Sequence, residues 1–483
     1  MGGKREENGG KEDIGGVVVF CLASAARFTV DETGTLKGKS MKSLFATFLC
    51  LACGALPAGE TERPNIVFVL ADDLGYMDLG CHGSKYYNTP NLDQFAAQAM
   101  GFTDAHSAPV CAPTRAALMT GKSPARLHMT CVRLPGVHLV RTLPLSEYTI
   151  AELLRDQGYR TAIFGKWQLS KPAKGQLQDY GFQKCVGVSG GTRSHFFPYR
   201  LPGLEHGSEG EALADRLTAE ACKFMEENKS GPFFVYLSHY AVHTPLQADP
   251  KLQRKYEAKP PVGGQNNPVY GAMVEGLDRS VGQLLHKIGE LGREERTVVI
   301  FTSDNGGLDH FFGGVHVTSN LPLRGEKGMV YEGGVRVPLM IRWPGVTRAG
   351  TVCAVPVAVE DYYSTIAEIA GAAIPPEVAS CLEGRSIAPL LRGEEVKRDG
   401  PIYWHYPHYH DRFPPDPAGA IREGDWKLIE FFQDGRLELY NLAADIGESD
   451  SLASQMPDKA RDLQRKLAAW REKVGAEMPS RKE

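Results

Sequence analysis

The fold is decided by the stretch Asn65-Ile66-Val67-Phe68-Val69-Leu70-Ala71-Asp72-Asp73-Leu74-Gly75. Its apolar, partly β-branched run predicts a strand over Ile66–Leu70. Two carboxylates follow directly, at the carboxyl end of this strand. In open α/β sheets ligands bind in the crevice beyond the carboxyl ends of the strands. The stretch therefore predicts both a sheet strand and one side of a site.

Similar apolar runs alternate with helical patterns further along the chain. The predicted strands are Ile66–Leu70, Thr161–Phe164, Phe233–Leu237 and Val298–Thr302. The predicted helices lie near Leu92–Met100, Ile150–Gln157, Leu213–Glu227 and Met273–Leu291. This alternation indicates an α/β fold with a large, mostly parallel central sheet flanked by helices.

The pattern changes near residue 395 to shorter segments. A hairpin is predicted from Trp426–Phe432 and Leu437–Leu442, joined by a turn at Asp434-Gly435. An amphipathic helix follows at about Pro457 to Lys473. We therefore predict a large domain over residues 63–395 and a small C-terminal α+β domain with an antiparallel sheet over residues 396–483.

Residues 1–62 are predicted to lie outside the fold, as a leader and signal peptide. The segment Met41–Ala58 has a positive start, a short apolar run and a small-residue exit, which is typical of a secretory signal. The apolar run is too short to span a membrane as an anchor. We expect a secreted or periplasmic protein whose signal begins at Met41.

Charge and cysteine content limit the function further. The 483 residues carry 54 basic and 58 acidic side chains, a formal charge of −4, so nothing indicates a nucleic-acid partner. Outside the leader and position 111, the cysteines are Cys81, Cys131, Cys185, Cys222, Cys353 and Cys381. An even number in an exported protein permits disulfides, but these residues fit equally well as small buried hydrophobes.

Chemically capable residues follow each of the four main predicted strands. They are Asp72 and Asp73, Lys166, His239 and His243, and Asp304 and Asn305. The strand ends should bring them together. The carboxylate and amide oxygens favour calcium or magnesium over zinc, and we expect calcium. Taken singly, Asp72-Asp73 and Asp304-Asn305 also fit solvated turns.

A cysteine opens the run Cys111-Ala112-Pro113-Thr114-Arg115, which continues as Ala116-Ala117-Leu118-Met119-Thr120-Gly121-Lys122. The pattern predicts that Cys111 lies in the first turn of a helix, where free N–H groups and the dipole favour anions. The residues alone leave two interpretations: a nucleophile at an anion site, or a buried free cysteine at a helix start.

The Cys111 run resembles the signature of the type I, formylglycine-dependent sulfatases, which are arylsulfatase-like members of the alkaline-phosphatase-like superfamily. The other matching motifs, in the family's order, are Asn65–Gly75, Gly165-Lys166-Trp167, Ser303-Asp304-Asn305-Gly306-Gly307 and Gly325–Gly334. The resemblance extends from about residue 63 to the C-terminus. It implies an alkaline-phosphatase-like fold and a Cα-formylglycine at position 111, made by a formylglycine-generating enzyme.

The resemblance also assigns roles to individual residues. Arg115, Lys166 and Lys327 would surround the sulfate, and His243 would be the general acid. The metal ligands would be Asp72, Asp73, Cys111, Asp304 and Asn305. In the implied mechanism a hydroxyl of hydrated formylglycine attacks sulfur, His243 protonates the departing alcohol, and the sulfated enzyme re-forms the aldehyde by expelling sulfate.

One position departs from the family pattern. Gln168 stands where most relatives have a histidine, which the resemblance places against a formylglycine hydroxyl and assigns to sulfate release. Glutamine can form hydrogen bonds but cannot act as a base at neutral pH. One alternative function is therefore a catalytically impaired binder of sulfated glycans.

Two aromatic and histidine-rich segments are predicted to contact the substrate, through His195 in one and His405 and His408 in the other, with Gln168 as a further contact. Packing at an interface between the two predicted domains explains the aromatic residues equally well. We expect a carbohydrate sulfate ester as substrate. The remaining alternative is a phosphatase or phosphodiesterase of the same superfamily, with a serine or threonine nucleophile and two zinc ions.

Overall fold

The strand predicted after Pro64 lies inside an eight-stranded sheet. This computed structural model describes residues 63–132, 142–170, 176–309, 316–409 and 417–479. The leader and signal segment predicted at residues 1–62 therefore fall outside the described residues. The described residues form one compact unit, and the domain boundary near residue 395 stays a prediction.

The large sheet is mostly parallel, as predicted. Its strands are β1 (Asn65–Ala71), β2 (Met100–Phe102), β4 (Arg160–Lys166), β5 (Lys184–Ser189), β6 (Phe233–Ser238), β7 (Thr297–Ser303), β8 (Leu339–Arg342) and β9 (Val352–Cys353). They lie in the order β5-β4-β6-β1-β7-β8-β2-β9. Only β8 runs against its two neighbours. A separate parallel pair consists of β3 (Ala105–His106) and β10 (Val357–Ala358).

Helices cover both faces of this sheet. They are α1 (Pro90–Gln98), α2 (Cys111–Thr120), α3 (Ile150–Asp156), α4 (Gln176–Asp179), α5 (Leu213–Glu227), α6 (Pro250–Glu257), α7 (Pro268–Glu290), α8 (Glu332–Val335), α9 (Asp361–Ile369), α10 (Pro376–Ala379) and α11 (Ala388–Leu391). Short 3₁₀ turns lie at Tyr76–Asp78, Gly80–His82 and Glu294–Arg296. Helix α7 begins five residues before the predicted Met273, because Asn267 caps it and Pro268 fits its first turn.

Residues of β1 alternate between two cores, because successive side chains of a strand point to opposite faces. Ile66 and Phe68 belong to a core shared with α2, α3 and α9. Val67 and Val69 belong to a second core shared with α5 and α7. The strand is buried along its whole length, so the sheet is the middle layer of three.

The C-terminal segment forms the predicted antiparallel sheet. Its strands are β11 (Ile402–Tyr406), β12 (Ala418–Glu423), β13 (Trp426–Phe431) and β14 (Leu437–Asn441), in that order. Helix α12 (Pro457–Val474) packs on it through Leu463 and Leu467, which join a core with residues of β12, β13 and β14. The predicted hairpin and final helix are thus both present.

The seven cysteines of the described residues are all free thiols, including the six whose pairing the sequence left open. Among the described helices, none combines the length and apolar character that a membrane crossing requires.

Candidate active site

The strand ends place the predicted side chains at one edge of the large sheet. Asp72 and Asp73 follow β1, Lys166 ends β4, and Asp304 follows β7. The loop after β6 carries His243. These four strands are consecutive neighbours in the sheet and parallel. Their carboxyl ends therefore meet, and residues far apart in sequence become contacts.

Cys111 begins α2 and faces this cluster. The helix follows extended Val110 and ends at Gly121, whose φ of 67° is the left-handed conformation that glycine adopts readily. All ten residues of α2 are buried, which fixes the cysteine rigidly. Its Sγ lies 3.9 Å from Asp73 Oδ1, so the sequence-predicted helix start and the strand end meet in space.

Three buried carboxylates are matched by three buried cations. Lys166 Nζ donates to both oxygens of Asp72, at 2.8 and 2.7 Å. Lys327 Nζ donates to Asp73 Oδ2 at 2.7 Å. Arg115 donates to Asp304 Oδ2 through Nε at 3.0 Å and Nη2 at 2.5 Å. Opposite charges thus compensate one another where water is excluded.

Ser238 is a site residue that sequence reasoning did not identify. The Arg115 guanidinium donates to Ser238 Oγ, and the Ser238 hydroxyl donates to the Lys166 carbonyl at 2.6 Å. Arg115 Nη1 reaches the same carbonyl at 3.0 Å. The available signal was its position as the last residue of β6, at the edge where the other site residues lie.

The surroundings shift the pKa values of the acidic groups in opposite directions. Burial alone would raise the pKa of Asp73, but Lys327 and His243 outweigh it and hold that pKa well below its usual range. Burial and the nearby Asp72 raise the pKa of Asp304 to about 6, which leaves this carboxylate ionised at neutral pH. Both groups can therefore serve as anionic oxygen ligands.

The Cys111 thiol is a poor nucleophile in this environment. Burial and the charge of Asp304 raise its pKa to about 12, although Lys166 and Lys327 act in the opposite direction. The thiolate is the reactive form of cysteine. An unmodified Cys111 would thus stay protonated at neutral pH.

His243 points one ring nitrogen into the cluster. Its Nε2 lies 3.5 Å from Asp73 Oδ2, and its Nδ1 lies 2.6 Å from the Thr244 carbonyl. A carbonyl oxygen can only accept a hydrogen bond, so Nδ1 carries a proton and Nε2 of the neutral ring has a free lone pair. Burial and the positive charge of Lys327 lower the pKa of His243 to about 4.

The structure does not bring all the predicted substrate contacts to this cluster. His195 is buried, and its Nε2 donates to the His243 carbonyl at 2.8 Å, so it lies behind His243 and does not face the cluster. His405 packs on Phe432 and bonds to the Glu477 carbonyl. His408 bonds to Thr130 Oγ1 at 2.8 Å. The last two therefore occupy packing positions around the C-terminal sheet.

Gln168 lies two residues beyond Lys166 with a φ of 64°. Its Oε1 is buried and has no hydrogen-bond partner among the described residues. This carbonyl oxygen is therefore available to accept a hydrogen bond.

The cluster fits a hard divalent cation. Within the described residues, Asp72, Asp73, Cys111 and His243 each offer a ligand atom, and these atoms lie within 4.8 Å of one another. Asn305 donates through Nδ2 to Asp73 Oδ1 at 2.9 Å, while its Oδ1 is buried without a described partner. Carboxylate and amide oxygens are the donors that calcium and magnesium prefer.

A second group, Asp104, His106 and Glu332, was not predicted from the sequence. Its carboxylates are already paired: Asp104 with Arg336 and Arg422, and Glu332 with Arg336 and Lys427. This charge compensation indicates a structural network between loops and the C-terminal sheet.

Comparisons with known proteins agree with this geometry. A family model described as Sulfatase matches residues 64–372, and one described as N-sulphoglucosamine sulphohydrolase, C-terminal, matches residues 325–473. A sulfatase of Formosa agariphila is 32% identical, over 91% of this chain and 94% of that protein. Human arylsulfatase A is 33% identical, over 86% and 83% of the two chains.

A solved structure of Ps i-CgsB is 31% identical with a TM-score of 0.75, covering 85% of this chain and 93% of that one. These matches favour sulfate ester hydrolysis over the phosphatase or phosphodiesterase alternative. They also confirm the family resemblance carried by the Cys111 run. The chain belongs to the sulfatase family, has its alkaline-phosphatase-like fold, and is a sulfatase enzyme.

Proposed function

We propose that the protein removes sulfate from a sulfated carbohydrate and that its nucleophile is a formylglycine made from Cys111. The observation that carries this proposal is the position of Cys111: it begins α2 beside Asp73, within a cluster of three cations that would surround an anionic sulfate ester. Burial raises the pKa of the thiol, which disfavours the thiolate and supports a nucleophile of another kind at this position. A hydrated aldehyde supplies a hydroxyl for attack and a second one whose oxygen can expel sulfate.

The residues around position 111 have separable tasks. Lys166 and Lys327 place positive charge beside position 111. Arg115 adds a third positive charge and forms an ion pair with Asp304. Preorganised cations of this kind stabilise the negative charge that develops on a transferring sulfuryl group. When its ring is doubly protonated, His243 holds an Nε2–H toward the cluster, from which a proton can pass to the departing alcohol oxygen.

We also propose that Asp72, Asp73, Asp304 and Asn305 hold calcium, with position 111 beside it. A divalent cation there would polarise an oxygen ligand and add positive charge near the sulfate. Removal of calcium with a chelator should lower the melting temperature, because the buried carboxylates lose their ligand. Calorimetry checks this: recovery with calcium but not magnesium supports the assignment, and equal recovery with both would overturn it.

The carbohydrate class is supported by relatives. The structure of Ps i-CgsB in complex with a neocarrahexaose is 30% identical in sequence to this chain and superposes with a TM-score of 0.74. A mouse N-acetylgalactosamine-6-sulfatase is 32% identical over 73% of this chain. We therefore place a sulfated sugar at this site. Maturation would need a formylglycine-generating enzyme, and export would use the segment beginning at Met41.

Sulfate release tests the proposal directly. The protein is co-produced with a formylglycine-generating enzyme, and conversion of Cys111 is checked by peptide mass. Sulfated monosaccharides, a sulfated neocarrahexaose and 4-nitrophenyl sulfate are then assayed for free sulfate. We expect release from at least one sugar, which Cys111→Ala abolishes and Cys222→Ala, a half-buried cysteine on α5, retains.

Two results would contradict the proposal. If the protein hydrolyses 4-nitrophenyl sulfate but none of the sulfated sugars, it is a sulfatase with a substrate of another class. Converted Cys111 without release from any ester, but with binding of sulfated sugars, would favour the binder alternative, for which Gln168 is the supporting residue.

A further inference from the structure

The loop that carries His243 is tied to a neighbouring segment through the ring of His195. The ring Nε2 of His195 lies 2.8 Å from the His243 carbonyl oxygen. A carbonyl oxygen only accepts hydrogen bonds, so this Nε2 carries a proton and the ring is the donor. The bond holds the peptide group between His243 and Thr244, which joins the His243 ring to the partner of its own Nδ1.

The main chain of His195 is itself held on both sides. Its N–H donates to Gln247 Oε1 at 2.8 Å, and its carbonyl accepts from the N–H of Leu213, the first residue of α5, at 2.8 Å. The residue is 7% exposed, and burial lowers the pKa of its ring to about 4. His195 is therefore a fixed, neutral donor at neutral pH.

The residues before His243 are anchored differently, by the main chain that follows β1. The Val242 N–H donates to the Asp72 carbonyl at 2.7 Å, and the Asp72 N–H donates to the Ala241 carbonyl at 2.9 Å. These bonds hold the loop on the amino side of His243. On its carboxyl side, the His243 carbonyl is held by the ring of His195.

Packing leaves part of the His243 ring open, since its side chain is 32% exposed. The direction of the ring therefore depends on hydrogen bonds. Its Nδ1 lies 2.6 Å from the Thr244 carbonyl, and its Nε2 lies 3.5 Å from Asp73 Oδ2. A shift of the peptide group before Thr244 would move the Nδ1 partner and turn the ring. A misplacement of about 1 Å in a reacting group can cost about 10²-fold in rate.

We propose that His195 is a positioning residue, whose Nε2–H holds the His243 carbonyl so that the His243 ring directs its Nε2 to the departing oxygen of the sulfate ester. His195 then acts through His243 and not through a substrate contact of its own. This inference rests on the proposed function for the role of His243 in proton transfer.

Two substitutions of equal length separate the hydrogen bond from the volume of the side chain. His195→Gln places an amide N–H near the position of the ring Nε2–H, whereas His195→Met has no donor. His206→Met, at an exposed histidine, is the control. The measured quantity is kcat/KM for the sugar sulfate divided by kcat/KM for 4-nitrophenyl sulfate.

We expect His195→Met to lower this ratio about tenfold, because the sugar alkoxide needs the proton and 4-nitrophenolate does not. His195→Gln and His206→Met should keep the ratio within about twofold of wild type. A double variant of His195→Met and His243→Gln should lose no more than His243→Gln alone, since the first residue acts through the second.

Three kinetic results would overturn the proposal: equal losses for both esters in His195→Met, the same ratio in His195→Gln and His195→Met, or additive losses in the double variant. Melting temperatures show whether each variant folds. If His195→Met does not fold, His195→Asn takes its place, because its shorter amide cannot reach the His243 carbonyl.

A spectroscopic measurement tests the positioning role without turnover. Cys111→Ala protein with isotope-labelled histidine is studied at neutral pH with calcium present, and the chemical shifts of the ring nitrogens report which one is protonated. The spectrum of His243→Gln identifies the His243 signals. We expect a proton on Nδ1 of His243 when residue 195 is His or Gln, and a mixture of both tautomers in His195→Met.

This measurement separates the positioning role from the proposed function. The expected tautomers support the role of His195 even if no sulfate ester is cleaved, a result that would contradict the proposed function alone. A single, unchanged tautomer of His243 in all three proteins overturns the role of His195 even if sulfate release is found.

Discussion

His243 can donate a proton from Nε2 only when its ring is doubly protonated, because the Thr244 carbonyl already holds the proton on Nδ1. Protonation of the leaving group accelerates the reaction most when the departing alkoxide is strongly basic. We expect His243→Gln to lower kcat/KM for a sugar sulfate about 10²-fold to 10⁴-fold. The loss for 4-nitrophenyl sulfate should be about tenfold at most, because that phenolate departs without a proton.

Steady-state kinetics with both esters check this prediction. Lys327→Met is the comparison variant, since it removes a cation beside Asp73 and not a proton donor. It should reduce both reactions by similar factors. Equal losses for the two esters in His243→Gln would show that His243 is not the acid.

Gln168 lies in the left-handed region of backbone space, which histidine tolerates better than most residues. The substitution Gln168→His is therefore compatible with the backbone. The family resemblance assigns a histidine at this position to sulfate release, so we expect kcat to rise about threefold to tenfold. Steady-state kcat and single-turnover rates measure the effect. A fall in kcat would instead indicate that the buried Gln168 carbonyl has its own hydrogen-bonding role.

The element that carries Lys327 is tied to the C-terminal sheet. Glu332 begins α8, five residues after Lys327, and its carboxylate accepts from Lys427 of β13 at 2.8 Å. The same ammonium lies 2.9 Å from Glu448. All three side chains are fully buried. Lys427 of the C-terminal sheet therefore holds the segment that follows Lys327 in the candidate active site.

Removal of Lys427 leaves two carboxylates buried without this partner. We expect Lys427→Met to reduce the free energy of unfolding by about 3–5 kcal/mol. The matched control is Lys466→Met, which removes a 40% exposed lysine paired with Glu423 and should cost about 1 kcal/mol or less. Urea unfolding measures both. A loss for Lys427→Met no larger than for the control would refute a structural role for this network.

A half-buried acid, Glu360, lies beside the C-terminal sheet. Glu360 precedes α9 and lines a small cavity together with Tyr403 of β11 and Trp470 of α12. Burial, reinforced by the charges of Asp361 and Glu383, raises its pKa from 4.5 to about 8. The lining of this cavity beside the C-terminal sheet therefore includes a carboxyl that holds its proton at neutral pH.

This pKa makes stability depend on pH. Unfolded Glu360 loses its proton near its ordinary pKa of 4.5, whereas the folded protein keeps it up to about pH 8. The folded state thus binds more protons across this window, and stability falls as pH rises through it. We expect Glu360→Gln to be more stable than wild type by about 1 kcal/mol or more at about pH 9, and equally stable at about pH 4.

Urea unfolding at both pH values measures the difference in the free energy of unfolding between Glu360→Gln and wild type. Glu209→Gln, at an exposed glutamate, controls for the loss of one acidic side chain. A stability gain for Glu360→Gln that is the same at both pH values would show that proton binding by Glu360 is not the cause.

The sequence determined which segments form the core elements and indicated the charged residues at the strand ends, but not Ser238. The alternating apolar runs specify strands and helices locally, so β1, β6 and α5 lie at or within two residues of their predicted bounds. Cys111 was placed at a helix start by its own neighbours. These features depend on contacts close in sequence, which periodicity and turn chemistry record.

Tertiary structure decided the rest. The strand order β4-β6-β1-β7 brings Arg115 to Asp304 and Ser238, which are separated from it by 189 and 123 positions. It also turns His195 toward the His243 carbonyl and His405 into a packing position. Local sequence cannot specify these partners, because each pairing depends on which strands become neighbours, and that order is set by the burial of the whole sheet between its helices.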